Sequence, residues 1–232
     1  MVCNVITADK ANRLFWLGRY AERVYISLHL LRRYYDRVID GDISNLHEYY
    51  KCLGQENEAC TCAHCDFQMS QLYDLENECS IAKSLELSID NGIVLRHDIS
   101  TESLSYIQMS KALLDECHVR GEKNVAFMQP ITDYMLAFFG SIDERVFDER
   151  IRKFLKIGKY IENIDLHIRF DYPFFRIEEV FNSLKDYLLR EGDVVDAVAM
   201  EYLEELITEE QYTLSPSYKT TVLGYLSRLV TV

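Results

Sequence analysis

The chain has 232 residues, 48% of them hydrophobic, and a formal net charge of −13. That is enough apolar content for a sizeable core, while the charge, with Lys and Arg scattered and forming no basic stripe, argues against nucleic acid and anionic membrane surfaces as partners. With only 9 Gly and 3 Pro there is too little turn chemistry for a many-stranded sheet, and apolar residues recur at helical spacing almost throughout, so the expected class is all-α.

In chain order, a long first helix is expected from Thr7, a candidate cap, to the stop Asp40-Gly41-Asp42. A shorter helix near 44–53 leads into a Glu- and Cys-rich loop at 55–66. Helices follow at about 67–75, 79–97, 101–120 and 123–139, punctuated by Ser100, Thr101 and Gly121. Gly140 reads as a break, and Ser141-Ile-Asp-Glu144 has the form of a capping box opening a second long helix over 142–171, which ends before Pro173. Three further helices, near 174–191, 194–208 and 217–230, complete the chain, with Leu214-Ser-Pro216 as the last turn. Without a long Pro- or Ser-rich linker, the expectation is a single domain over 1–232, a helical bundle built around the two long helices.

Those two helices carry an internal repeat. Residues 14–31 read Leu-Phe-Trp-Leu-Gly-Arg-Tyr-Ala-Glu-Arg-Val-Tyr-Ile-Ser-Leu-His-Leu-Leu, and residues 154–171 repeat the pattern as Phe-Leu-Lys-Ile-Gly-Lys-Tyr-Ile-Glu-Asn-Ile-Asp-Leu-His-Ile-Arg-Phe-Asp. Gly18, Arg19, Tyr20 and Glu22 therefore match Gly158, Lys159, Tyr160 and Glu162. On a helical wheel Phe15, Arg19, Glu22 and Ile26 fall on one line, as do Leu155, Lys159, Glu162 and Leu166. Each copy thus brackets a cation and a carboxylate between large apolar residues, which points to a semi-buried charge cluster rather than a solvated i,i+3 pair. Gly inside a helix costs roughly 1 kcal/mol relative to Ala, and close approach of another helix at Gly18 and Gly158 would account for it. The two repeat helices are expected to cross near these glycines, related by a pseudo-two-fold.

Asn12-Arg-Leu-Phe-Trp-Leu-Gly-Arg-Tyr-Ala-Glu-Arg23 resembles the opening signature of the bacterial alpha-E domain proteins. Leu136-Ala-Phe-Phe-Gly140 followed by Phe154-Leu-Lys-Ile-Gly-Lys-Tyr-Ile-Glu162 resembles that family's second signature. Asn77-Glu-Cys-Ser-Ile81, and Asp90-Asn91 through Arg96-His-Asp-Ile-Ser100, are similar to its middle segment. The resemblance covers about residues 8–171. It implies an all-helical cytoplasmic protein found with ATP-grasp-type ligases and transglutaminase-like peptidases, in systems that make or modify peptides, and it brings no defined activity. By position the polar signature falls on Arg19, Glu22 and Arg23, and on Lys159 and Glu162. Asn163 stands where the family has another Arg, and Ile89 and Ile93 where its middle segment has arginines, losses that would weaken an anion site.

Other templates are absent from the sequence. There is no Gly-x-Gly-x-x-Gly, no phosphate loop and no Gly-x-Ser-x-Gly elbow, so no cofactor is expected and no catalytic residue can be named. Asp115-x-x-His118 alone does not make a di-iron site and reads as a polar surface pair; His29 and His167, one in each repeat segment, read as amphipathic edge residues. Cys60, Cys62, His64 and Cys65 have zinc-ligand chemistry but lack paired two-residue-gap knuckles, so the expectation is a thiol-rich loop without metal, and Cys3, Cys52, Cys79 and Cys117 read as small core residues. The first residues lack a charged-then-apolar leader, and no apolar run approaches the ~20 residues of a spanning helix, so a cytoplasmic location is expected. Two functions stay open: a non-catalytic partner or scaffold for a ligase-type enzyme, or an enzyme or substrate-binding component using the Glu/cation cluster.

Overall fold

The computed structural model describes residues 6–39, 44–55, 64–188 and 194–231, and among them the elements are eleven α-helices and one 3-10 turn, with no strand. They are α1 (Ala8–Ile39), α2 (Ser44–Cys52), α3 (His64–Tyr73), α4 (Ile81–Val94), α5 (Arg96–Ile99) and α6 (Thr101–Val119). After a 3-10 turn at Val125–Met128 come α7 (Gln129–Arg145), α8 (Glu149–Arg169), α9 (Phe174–Leu188), α10 (Ala197–Leu206) and α11 (Pro216–Arg228). The chain divides into two compact units, the first comprising Met1–Arg19 with Arg150–Val232 and the second Tyr20–Glu149.

In the first unit, the start of α1 and helices α8 to α11 enclose an apolar core. Phe15, Ile157, Ile161, Ile164 and Ile168 meet Ile177, Phe181 and Leu184 of α9, Ala199 and Leu203 of α10, and Val222 and Leu226 of α11. The i, i+3/i+4, i+7 spacing of these residues is what makes each helix amphipathic. Caps set the boundaries. Asp196 accepts from the amides of Val198 and Ala199 to open α10, and Ser215 accepts from Tyr218, with Pro216 in the first turn of α11. Helix α8 ends in a Schellman motif: Asp171 adopts φ +55°, the Tyr172 amide donates to the His167 carbonyl, and that of Asp171 to Ile168. A non-glycine residue in this left-handed conformation is strained, and here Lys219 of α11 donates to both the Asp171 carboxylate (2.7 Å) and the Arg169 carbonyl (3.3 Å).

In the second unit, α6 packs on α7 and on α4. Gly92 makes room on α4, where a Cβ would come within 2.6 Å of the Leu104 side chain. Buried serines carry their own partners: Ser84 Oγ donates to the Ser80 carbonyl, Ser88 Oγ to that of Ser84, and Ser103 and Ser141 share a hydroxyl–hydroxyl bond of 2.6 Å. Edge-to-face rings join Tyr34, Tyr49, Tyr50 and Phe67. Helix α6 closes like α8, but with Gly121 at φ +64° in the left-handed position.

The helix expected over 79–97 is divided into α4 and α5, the one expected over 123–139 opens with the 3-10 turn, and the largest difference from the sequence reading lies at the end of α7. Gly140 is not a break and Ser141-Ile-Asp-Glu144 is not a capping box, because α7 runs through both to Arg145. The physical reason is the stripe Ile131, Met135, Phe138 and Ile142, all 0% exposed, whose burial outweighs the roughly 1 kcal/mol cost of one helical glycine. Ser141 is buried and faces Ser103 instead of capping. The second long helix accordingly starts at Glu149, seven residues later than 142.

Candidate functional site

The polar signature of the first unit is built where α1 and α8 touch backbone to backbone. A Cβ at Gly18 would stand 1.9 Å from the Leu155 carbonyl oxygen, and a Cβ at Gly158 would stand 1.9 Å from that of Phe15. The glycine hydrogens occupying those directions point at the carbonyls, the arrangement of Cα–H···O contacts. The two contacts are the same contact with the helices exchanged, since Phe15 and Leu155 each lie three residues before the glycine of their own helix.

One turn beyond the crossing, Arg19 Nε donates to Glu162 Oε2 at 2.7 Å. Glu162 is 1% exposed, while the Arg19 side chain keeps 16%. The guanidinium also lies over the Trp16 ring at 4.9 Å and near that of Phe15 at 5.9 Å. Arg19 is thus held by a carboxylate and an indole face, and its charge is matched inside a mostly apolar wall. A buried carboxylate carrying a charge-assisted bond of this kind locks helix position, because removing either partner strands the other's charge away from water.

The remaining signature residues are placed as follows. Lys159 is half-buried on α8 in the first unit. Glu22 and Arg23 belong to the second unit, where Glu22 is 1% exposed and Arg23 lies over the Tyr20 ring at 5.7 Å. Asn163 is half-buried on α8; Ile93 is exposed on α4 and Ile89 half-buried.

The histidines of the two repeat helices diverge. His29 is exposed and edge-on to Tyr25 at 4.7 Å, as an edge residue would be. His167 is not an edge residue: it is buried, stacked on Tyr172 at 4.1 Å, and its Nδ1 makes no hydrogen bond. Burial, with Arg176 adding to it, pushes its pKa down to about 4, so the ring is neutral near pH 7. Its environment comes from the reversal after α8, which folds Tyr172 back over the ring, and Tyr172-Pro173 was the available signal. The i,i+3 spacing of Trp16 to Arg19 is the sequence signal for its role as a cation platform. Asp115 and His118 do not pair; Asp115 accepts from Lys111, and His118 stacks on Tyr73 at 4.5 Å.

Cys3, Cys60 and Cys62 lie outside the described residues, as do the side chains of His64 and Cys65. Cys117 is buried and its thiol pKa is raised by burial, whereas Cys52 and Cys79 are half-buried. Among the described residues, no group of three or more His, Cys, Asp or Glu is arranged to hold a metal, and no helix is long and apolar enough to cross a membrane.

The arrangement defines a helical protein in which two signature charges, Arg19 and Glu162, pair beside a helix crossing. A family model described as a predicted alpha-helical domain with a conserved ER motif matches residues 8–203. The chain belongs to this family, Alpha-E. Glu22-Arg23 is the Glu-Arg dipeptide within the first signature, and the second copy reads Glu162-Asn163. No curated protein and no solved structure matches the chain.

Proposed function

We propose that this protein is a non-catalytic helical partner, or scaffold, in an ATP-grasp-associated system that forms or modifies peptide or amide bonds, and that it works in the cytoplasm. The observation that carries the non-catalytic reading is the state of Glu162. At 1% exposure, with Arg19 bonded at 2.7 Å, its carboxylate is engaged in joining α8 to α1. A general base or amine anchor must reach its substrate within about 3 Å, and a carboxylate sealed in this way cannot do so while the crossing is closed. The system itself is inferred from the signatures in 12–23 and 136–162, whose family resemblance brings ATP-grasp-type ligases and transglutaminase-like proteins as partners.

The test is reconstitution with an ATP-grasp-type ligase from the same organism. ATP consumption and amide product are followed for the ligase alone, for this protein alone, and for the two together. Stimulation of the ligase by wild type, with no turnover by this protein alone, is the expected result. A Glu162→Gln variant that remains folded but abolishes turnover by this protein alone would establish an enzyme instead.

A further inference from the structure

Helix α10 leaves one face unpartnered. Val198 is 57% exposed and Tyr202, one turn on, is 44% exposed. Tyr202 stacks on Tyr225 of α11 at 4.6 Å and 15°, which extends the apolar strip from α10 onto α11. On the other flank of α10 a hollow of about 320 Å³ is lined by the apolar Leu188, Val195, Ala197 and Met200 together with Lys185, Glu201 and Glu204. A hollow of that size exceeds a Leu or Phe side chain, and exposed aromatics beside such a hollow are typical anchors of a protein interface.

The charges around this strip settle what it fits. Glu201 and Glu205 follow Val198 by three and seven residues, so they share its face, and both are exposed. No cation among the described residues pairs with either. Among the described residues, Lys185 stands 3.9 Å from Glu204, and Arg228 lies over the Tyr225 ring at 5.3 Å. Exposed Glu209 and Glu210 follow just beyond the end of α10.

We infer that the α10 face is a docking surface for a basic, amphipathic helical segment of a partner protein. The partner's bulky apolar residue enters the hollow or lies along Val198 and Tyr202, and its Lys or Arg residues meet Glu201 and Glu205. Apolar anchors supply the affinity, and the carboxylates supply orientation and rejection of acidic segments. This surface rests on the partner role proposed above and gives it an address.

The probe is a fluorescently labelled synthetic helical peptide of leucine and lysine, titrated with the intact protein, beside an otherwise identical leucine–glutamate peptide. The basic peptide is expected to bind and the acidic one not to. Val198→Ser and Glu201→Lys should each weaken binding by about tenfold or more, while Glu144→Lys on α7 leaves it within about twofold; raised salt should weaken wild-type binding and erase the Glu201→Lys defect. Both positions on α10 are exposed, and thermal melts of the variants should match wild type. The docking surface is overturned if neither peptide binds, if both bind equally, or if Glu144→Lys weakens binding as much as Glu201→Lys. Concentration-dependent self-association that Val198→Ser abolishes would also overturn it, by assigning the face to a second copy. The two proposals separate in the ligase assay: stimulation that survives Val198→Ser and Glu201→Lys leaves the partner role standing and removes this address.

Discussion

Helix α7 and the crossing of α1 with α8 both contain a glycine in mid-helix, and the two cases have opposite physics. At Gly18 and Gly158 a Cβ would stand 1.9 Å from a carbonyl oxygen, whereas at Gly140 a Cβ would meet nothing within 4 Å. The same residue type, at the same intrinsic cost, is required by contact in one place and by nothing intramolecular in the other. A glycine in a helical pattern therefore signals a crossing only when the pattern around it also demands one, as the apolar brackets of the repeat do.

Gly158→Ala gives the sharpest contrast. The methyl cannot be accommodated without separating α1 from α8, so stability should fall on the order of 3 kcal/mol or more, read as a shift in the midpoint of urea unfolding. A loss below about 1 kcal/mol would show that the crossing relaxes easily and that the comparison is wrong.

The next effect concerns the buried end of α8. His167 has a folded-state pKa of about 4 against an ordinary value of 6.5, so between these pH values the unfolded chain binds the extra proton. Stability from this residue is therefore fully present above pH 6.5 and is lost as pH falls toward 4, by up to about 3 kcal/mol. His167→Phe should flatten that part of the stability–pH curve relative to wild type. An unchanged slope would put the ring in water.

Glu162→Gln should cost about 1–3 kcal/mol, because Arg19 keeps its charge at a wall that no longer balances it. A reversed sign would mean that the carboxylate is kept against the interest of stability, which is the mark of a functional group. Gly140→Ala is the smallest effect and has the opposite direction: with open space around it, alanine should stabilise α7 by about 0.5–1 kcal/mol. Destabilisation there would show that Gly140 answers to a contact after all.

The helices were legible because the 3.6-residue period is written in strongly apolar residues and because Ser100, Gly121, Pro173 and Pro216 mark their ends. The end of α7 was not, since Gly140-Ser141 mimics a stop and only the burial of Ile142 and the Ser103 hydroxyl reveals continuation. At the candidate site, residue types and phase placed Arg19 and Glu162 on the apolar-bracketed line. The sequence could not say that these two charges bond across 143 positions, nor that Trp16 lies under the guanidinium. His29 and His167 both lie near the C-terminal part of a repeat segment yet sit in different environments, because burial of His167 depends on where the chain goes after α8.

The reciprocal contact of Gly18 with Leu155 and Gly158 with Phe15 also sets which changes the chain can accumulate. Deleting or inserting one residue between Phe15 and Gly18 would leave the composition almost untouched, yet it would turn Phe15 by 100° relative to the glycine. Phe15 would leave the carbonyl position that Gly158 is shaped to receive. Between the two contact points of each helix the quantity under constraint is the interval, the count from Phe15 to Gly18 and from Leu155 to Gly158.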